Sequence, residues 1–185
     1  MMTLPSSSQP NIKHTLTVEV QTLGSLALFC QWLCDTSSET SLVGEVWALD
    51  GDLGAGKTKL VQTLCQTLGI EETVSSPTFV LLNEYTTGDF PIVHGDFYRL
   101  GENQSGDNQA GENKADGLMQ ELTPSLEQGS GMILMEWASL SQAYQEWVTL
   151  WIHIAYGDTP TSRVITLTSN TPAWKSRFLK RLSND

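Results

Sequence analysis

The stretch Gly51-Asp52-Leu53-Gly54-Ala55-Gly56-Lys57-Thr58 satisfies the pattern G-x-x-x-x-G-K-[ST] in full. A short apolar run, Val46-Trp47-Ala48-Leu49, leads into it and reads as a buried strand. Behind it, Lys57 to Leu68 reads as a helix that Gly69 stops at its C′ position. Glycines at 51, 54 and 56 admit positive φ and remove side chains that would hold a phosphate away. Successive backbone N–H groups then form an anion-binding nest, reinforced by the N-terminus of the following helix. On this reading Asp52, Leu53, Gly54, Ala55 and Gly56 line the phosphates. Lys57 reaches the β- and γ-phosphates, and the Thr58 hydroxyl is a magnesium ligand. The expected ligands are ATP and magnesium.

Working outward, His14 to Val20 alternates and is rich in β-branched residues, as a first strand would be. Thr22 follows as an N-cap, and Leu23, Leu26, Ala27, Cys30, Leu33 and Cys34 recur at helical spacing to about Asp35. Beyond the helix that starts at Lys57, Phe79 to Tyr85 and Pro91 to Asp96 read as two strands joined by a turn at Thr86 to Asp89. Gly101 to Gly117 holds almost nothing to bury and is expected to be a mobile polar loop. Met119 to Leu126 reads as a short helix, and Met132 to Met135 as a second buried strand ending at Glu136. Thr149 to Ala155 and Arg163 to Thr168 read as two late strands. In the tail from Pro172, Trp174, Phe178, Leu179 and Leu182 are expected on one face of a helix. Strands alternating with helices predict a single α/β domain of the P-loop NTPase type, residues 14–185. Its mixed, mostly parallel sheet would carry an antiparallel hairpin and be flanked by helices. Residues 1–13 are expected to be a disordered leader without the basic start and apolar core of a secretory signal.

Composition narrows the function classes. No run approaches the roughly 18 apolar residues of a membrane span, so the chain is expected to be cytoplasmic. Cys30, Cys34 and Cys65 are odd in number and contain no CxxC pair, which argues against a disulfide framework or a zinc site. Ten basic residues against 21 acidic ones give a net charge of −11, which opposes autonomous binding to a phosphate backbone. Lys175, Arg177, Lys180 and Arg181 nevertheless gather near the end of the chain.

A phosphate-binding turn needs a second carboxylate for the metal and a group that orders the attacking water. Asp96 follows Ile92-Val93-His94-Gly95, and Glu136 follows Met132 to Met135, so both end apolar strands. From pattern alone each is either a site carboxylate or a surface acid capping its strand. Ser75-Ser76-Pro77-Thr78 lies where switch segments occur. The Thr78 hydroxyl could sense a γ-phosphate, or the segment is simply a turn. His94 reads as a strand-end polar residue.

In order and spacing, GDLGAGKT at 51–58, SSPTFVLLNEY at 75–85, HGDFYRL at 94–100 and MEW at 135–137 resemble the TsaE (YjeE) family of small bacterial P-loop ATPases. The likeness runs from about Thr15 to Leu182. It implies an accessory ATPase in making threonylcarbamoyladenosine at the tRNA adenosine next to the anticodon. The implied partners are TsaD and TsaB, with nucleotide state supporting repeated transfer. Carried over, Lys57 and Thr58 hold phosphates and magnesium. Asp96 and Glu136 are the metal-linked acids, with Glu136 orienting water. Thr78 is switch-type, and Trp137 is an aromatic beside the site. The chain departs from the family at Lys59, where a second Thr is common, and at Ser139, where an acid is common. Its 101–117 loop is also long. Arg163 stands where the family tends to keep a basic residue, either as a nucleotide contact or as a surface Arg. Contact of the basic tail with tRNA is weighed against a packed helix with a solvated basic face. The rival functions are a small-molecule kinase, which would be expected to offer an Arg-bearing lid, and a nucleotide-dependent binding module.

Overall fold

Apolar residues on both sides of the central strands set the architecture. Trp47, Leu49, Met132 and Leu134 bury into one core, and Val46, Ala48, Ile133 and Met135 into the other. Strands covered on both faces read as continuous apolar runs rather than alternating ones, which is why these two stood out in the sequence. The computed structural model describes residues 13–35, 41–77, 81–86, 88–99, 122, 124, 127–140 and 145–183.

The elements are β1 (His14–Val20), α1 (Leu23–Cys34), β2 (Val46–Gly51), α2 (Lys57–Thr67), β3 (Leu82–Tyr85), β4 (Ile92–Asp96), β5 (Met132–Glu136), β6 (Leu150–Tyr156), β7 (Arg163–Ser169) and α3 (Pro172–Leu182). They form one seven-stranded sheet in the order β1-β7-β6-β2-β5-β4-β3. The neighbours β6, β2, β5 and β4 are mutually parallel, while β3 pairs antiparallel to β4 and β7 antiparallel to β6 and β1. The expected mixed, mostly parallel sheet with a β3–β4 hairpin is therefore present. Four parallel strands aim their carboxyl ends the same way, and ligands of open α/β sheets bind outside those ends.

Local chemistry explains the boundaries. At the start of α1, Ser25 N donates to Thr22 Oγ1 at 3.1 Å and Thr22 N to Ser25 Oγ at 2.9 Å, a closed capping box. The left-handed Gly69 (φ 77°) ends α2 as expected. β3 begins only at Leu82, because Leu81 takes φ 72° and leaves the extended region. Within the expected 119–126 helix, Leu122 and Pro124 are described and both are helical. The 1–12 stretch of the leader, the 101–117 loop and Thr78 lie outside the described residues.

The tail departs from expectation. Trp174 and Phe178 are buried, but Leu179 is 57% and Leu182 60% exposed, and Arg177 is buried in their place. At about 100° per residue, positions 174, 177 and 178 share a face, while 179 has turned well away from it. Arg177 Nη2 donates to the Trp32 and Leu33 carbonyls at 2.7 and 2.8 Å, closing the carboxyl end of α1. One of the four tail cations is thus committed to packing. Among the described residues, no helix is long and apolar enough to cross a membrane.

Candidate nucleotide site

Between β2 and α2 the carbonyls of the turn are held by side chains. Lys57 Nζ donates to the Gly51 and Asp52 carbonyls at 2.8 and 3.0 Å. Tyr156 Oη donates to the Leu53 carbonyl at 2.9 Å, and Arg163 Nε to the Ala55 carbonyl at 2.8 Å. With four carbonyls engaged and Ala55 N donating to the Asp52 carbonyl at 3.1 Å, the turn has the closed form of an anion nest. Gly51 and Gly56 sit at φ 137° and 110°. At Gly51 a Cβ would also run into the Ile154 carbonyl of β6, so only glycine lets these strands close up before the turn. α2 starts at Gly56 with no side-chain cap and no acidic residue in its first turn. α1 and α3, by contrast, are each capped by a threonine. The free N–H groups and positive dipole end of α2 are therefore unspent.

Alternation along β4 and β5 brings the acids to this point. Asp96 lies opposite Glu136 in the β4–β5 register, and His94 is two residues earlier on the same face as Asp96. Asp96 and Glu136 are 3% and 2% exposed, so neither is a surface strand cap. Thr58 Oγ1 donates to Glu136 Oε2 at 3.0 Å, and His94 Nε2 donates to Glu136 Oε1 at 2.9 Å. Asp96 Oδ1 accepts from Tyr98 N at 2.9 Å, and Asp96 Oδ2 faces Ser76 Oγ at 3.5 Å. Lys57 completes the group from the other side, its Nζ 3.6 Å from the Trp137 ring centroid. Burial lowers the Lys57 pKa. Glu136, Asp50, Asp96 and Asp52 act against that shift.

A cleft of about 730 Å³ opens beside the turn. The β1–α1 junction (Val20, Thr22, Leu23), Gly56 and Lys59 of the turn and helix, and Thr161 of the β6–β7 hairpin are among its walls. Lys59 thus lies at the cleft. Arg163 lines it as well while bracing the turn, its guanidinium 4.6 Å from the Tyr156 ring.

Comparison with known proteins gives this geometry a family. The profile described as threonylcarbamoyl adenosine biosynthesis protein TsaE matches residues 25–180. The chain belongs to the TsaE family. A Nostoc sp. protein named tRNA threonylcarbamoyladenosine biosynthesis protein TsaE is 41% identical over 120 residues, covering 65% of this chain and 68% of that one. The same-named protein of Streptomyces coelicolor is 33% identical over 136 residues, covering 71% and 84%. The crystal structure of Bacillus subtilis YdiB superposes with a TM-score of 0.63 at 26% identity, covering 94% of this chain and 97% of that one.

The structure brings Lys57, Thr58, Asp96, Glu136 and Trp137 together at the carboxyl ends of β2, β4 and β5. The sequence reading underrated His94, which is fully buried on Glu136 rather than a strand-end polar group. The signal was there in its i, i+2 spacing from Asp96. Asp50 was missed altogether. Its Oδ1 accepts from Ser139 Oγ at 2.8 Å and Ser139 N at 3.3 Å, so a carboxylate from β2 is joined to the segment that follows β5. Tyr156 was also missed, since no local pattern marks a residue 103 positions from its partner Leu53.

Proposed function

We infer that this TsaE-family chain is a magnesium-dependent ATP-binding and ATP-hydrolysing accessory protein of tRNA threonylcarbamoyladenosine modification, acting with TsaD and TsaB. The observation that carries the reading is the contact of Thr58 with Glu136 at the start of an uncapped helix. An uncapped helix end is joined there directly to a buried carboxylate, which supports a phosphate and metal site.

The oxygen set fits the metal. Thr58, Asp96 and Glu136 offer hard oxygen donors, and a phosphate-bound magnesium takes only one or two protein oxygens, with phosphate and water supplying the rest. Magnesium held there would neutralise charge on the phosphates. On this reading the backbone of the Asp52 to Gly56 turn cradles the phosphate chain, with Ala55 N held by the Asp52 carbonyl, and the Lys57 ammonium reaches the outer phosphates. Glu136, fixed at both oxygens, is placed to accept a proton from or orient a water. The cleft walled by Leu23, Lys59 and Thr161 takes the nucleoside. Thr78 follows directly on Pro77 and is proposed as the switch residue that senses the γ-phosphate. The arginine that reaches the turn, Arg163, is tied to backbone carbonyls rather than free to act as a finger. Slow turnover alone and faster turnover with partners therefore follow.

The test is magnesium-dependent ATP hydrolysis by the purified chain, alone and with TsaD and TsaB, beside Lys57→Ala and Glu136→Ala. Turnover that rises with partners and falls by about 100-fold or more in both variants is the expected result. Transfer of phosphate to a small molecule, with no effect of the partners, would establish a kinase instead.

A further inference from the structure

His94 is fully buried, yet its ring is only half satisfied. Nε2 donates to Glu136 Oε1 at 2.9 Å, while Nδ1 has no hydrogen-bond partner. A buried ring nitrogen without a partner is costly, and an apolar side chain would fill the same space without that cost. The ring packs beside Tyr85, with centroids 6.5 Å apart, and Tyr85 in turn donates to the Ser75 carbonyl at 3.4 Å. These contacts seat the imidazole, but none of them requires a histidine. What requires one is the bond to Glu136.

That bond matters because of what holds the other carboxylate oxygen. Glu136 Oε2 accepts from Thr58, the second residue of α2. On the proposed function, on which this inference rests, the Thr58 hydroxyl is committed to the metal of the bound nucleotide. A hydroxyl binds a metal through a lone pair and keeps its O–H, so Thr58 and His94 hold one oxygen each, and His94 is the donor that does not depend on the metal. We propose that His94 is the positioning residue of Glu136, holding the carboxylate aimed at the phosphate-binding turn through its Nε2–H donor. His94 touches neither nucleotide nor water in this role and acts only through Glu136.

The experiment uses the full chain with His94→Leu, which removes the donor, and His94→Gln, whose amide restores an N–H near the Nε2 position. Steady-state ATP hydrolysis, affinity for fluorescently labelled ADP and thermal unfolding are measured for each. His94→Leu is expected to lower kcat by about 10- to 100-fold, the usual cost of losing a group that orients a site ligand. KM and ADP affinity should stay within about twofold, and His94→Gln should recover kcat to within about threefold of the parent. A readout independent of turnover comes from ring ¹⁵N–¹H spectra of the nucleotide-free chain, which has only three histidines. One ring N–H, at Nε2, should be protected from exchange and should shift in Glu136→Gln. Unchanged kcat in His94→Leu overturns the positioning role alone. Equal loss in both variants together with weakened ADP binding makes His94 a packing residue and overturns it too. If the parent binds ADP but hydrolyses no ATP, the hydrolysis reading fails and the positioning role fails with it.

Discussion

Arg163 reaches the glycine-rich turn from a strand more than a hundred residues away, and its Nε bond to the Ala55 carbonyl is reinforced by stacking on Tyr156. Its Nη1 also closes on the Pro160 and Ser162 carbonyls at 3.0 and 2.7 Å, so one guanidinium ties the β6–β7 hairpin to the turn. Such a fork cannot be reproduced by an ammonium. Arg163→Ala is expected to weaken ATP binding by about tenfold, or roughly 1.4 kcal/mol, with Arg163→Lys recovering little of it. Titration with a fluorescent nucleotide measures both, and an unchanged affinity would reduce Arg163 to a surface residue. The sequence left Arg163 open between a nucleotide contact and a surface side chain. It lines the cleft, and its hydrogen bonds run to the backbone of the turn and hairpin, an outcome no local pattern carries.

At the scale of elements, the sheet divides its labour between its two ends. The glycine-rich turn leaves the carboxyl end of β2, while Glu45, just before its amino end, anchors the last helix. Glu45 Oε2 accepts from Trp47 Nε1 at 2.9 Å, Trp174 Nε1 at 3.0 Å and the Thr149 hydroxyl. Trp174 packs edge-on against Trp47 at 5.5 Å, and the guanidinium of Arg177 lies 4.5 Å from the Trp174 ring. Glu45→Ala leaves two buried indole N–H groups without an acceptor and should cost about 2–4 kcal/mol of stability. Urea unfolding measures that loss. Nucleotide affinity should stay unchanged, because β2 separates the two sites by about 3.3 Å for each of its residues. The strands and helices themselves were legible from periodicity and caps, since Thr22, Gly69 and Pro172 act locally. The buried face of α3 was not, because Leu179 and Leu182 are as apolar as their neighbours, and only the position of α1 and β1 decides which side is covered.

For the whole molecule, the cores on the two sides of the sheet differ in content and in chemistry. The larger one holds Cys30 and Cys65 with both capped and uncapped helices packed over it, and Cys34 at its margin. Burial pushes the Cys34 and Cys65 thiols up to about 12 and raises Cys30 further still. A raised thiol pKa keeps the group neutral, so at pH 8 the thiolate that reacts is almost absent. The folded chain should therefore show no fast-reacting thiol toward a disulfide reagent at that pH, whereas all three should react once it is unfolded in urea. A fast thiol in the folded state would contradict the burial of this core. By itself the sequence determined the glycine-rich turn between a strand and a helix, the order of strands and helices, the two acids at strand ends and the family likeness, because each rests on neighbours within a few residues. The tertiary structure alone decided that His94 and Thr58 share Glu136, that Asp50 takes up Ser139, and that Tyr156 and Arg163 brace the turn. Those partners are brought together by strand register and helix packing, which depend on every element at once and leave no mark at any one position in the chain.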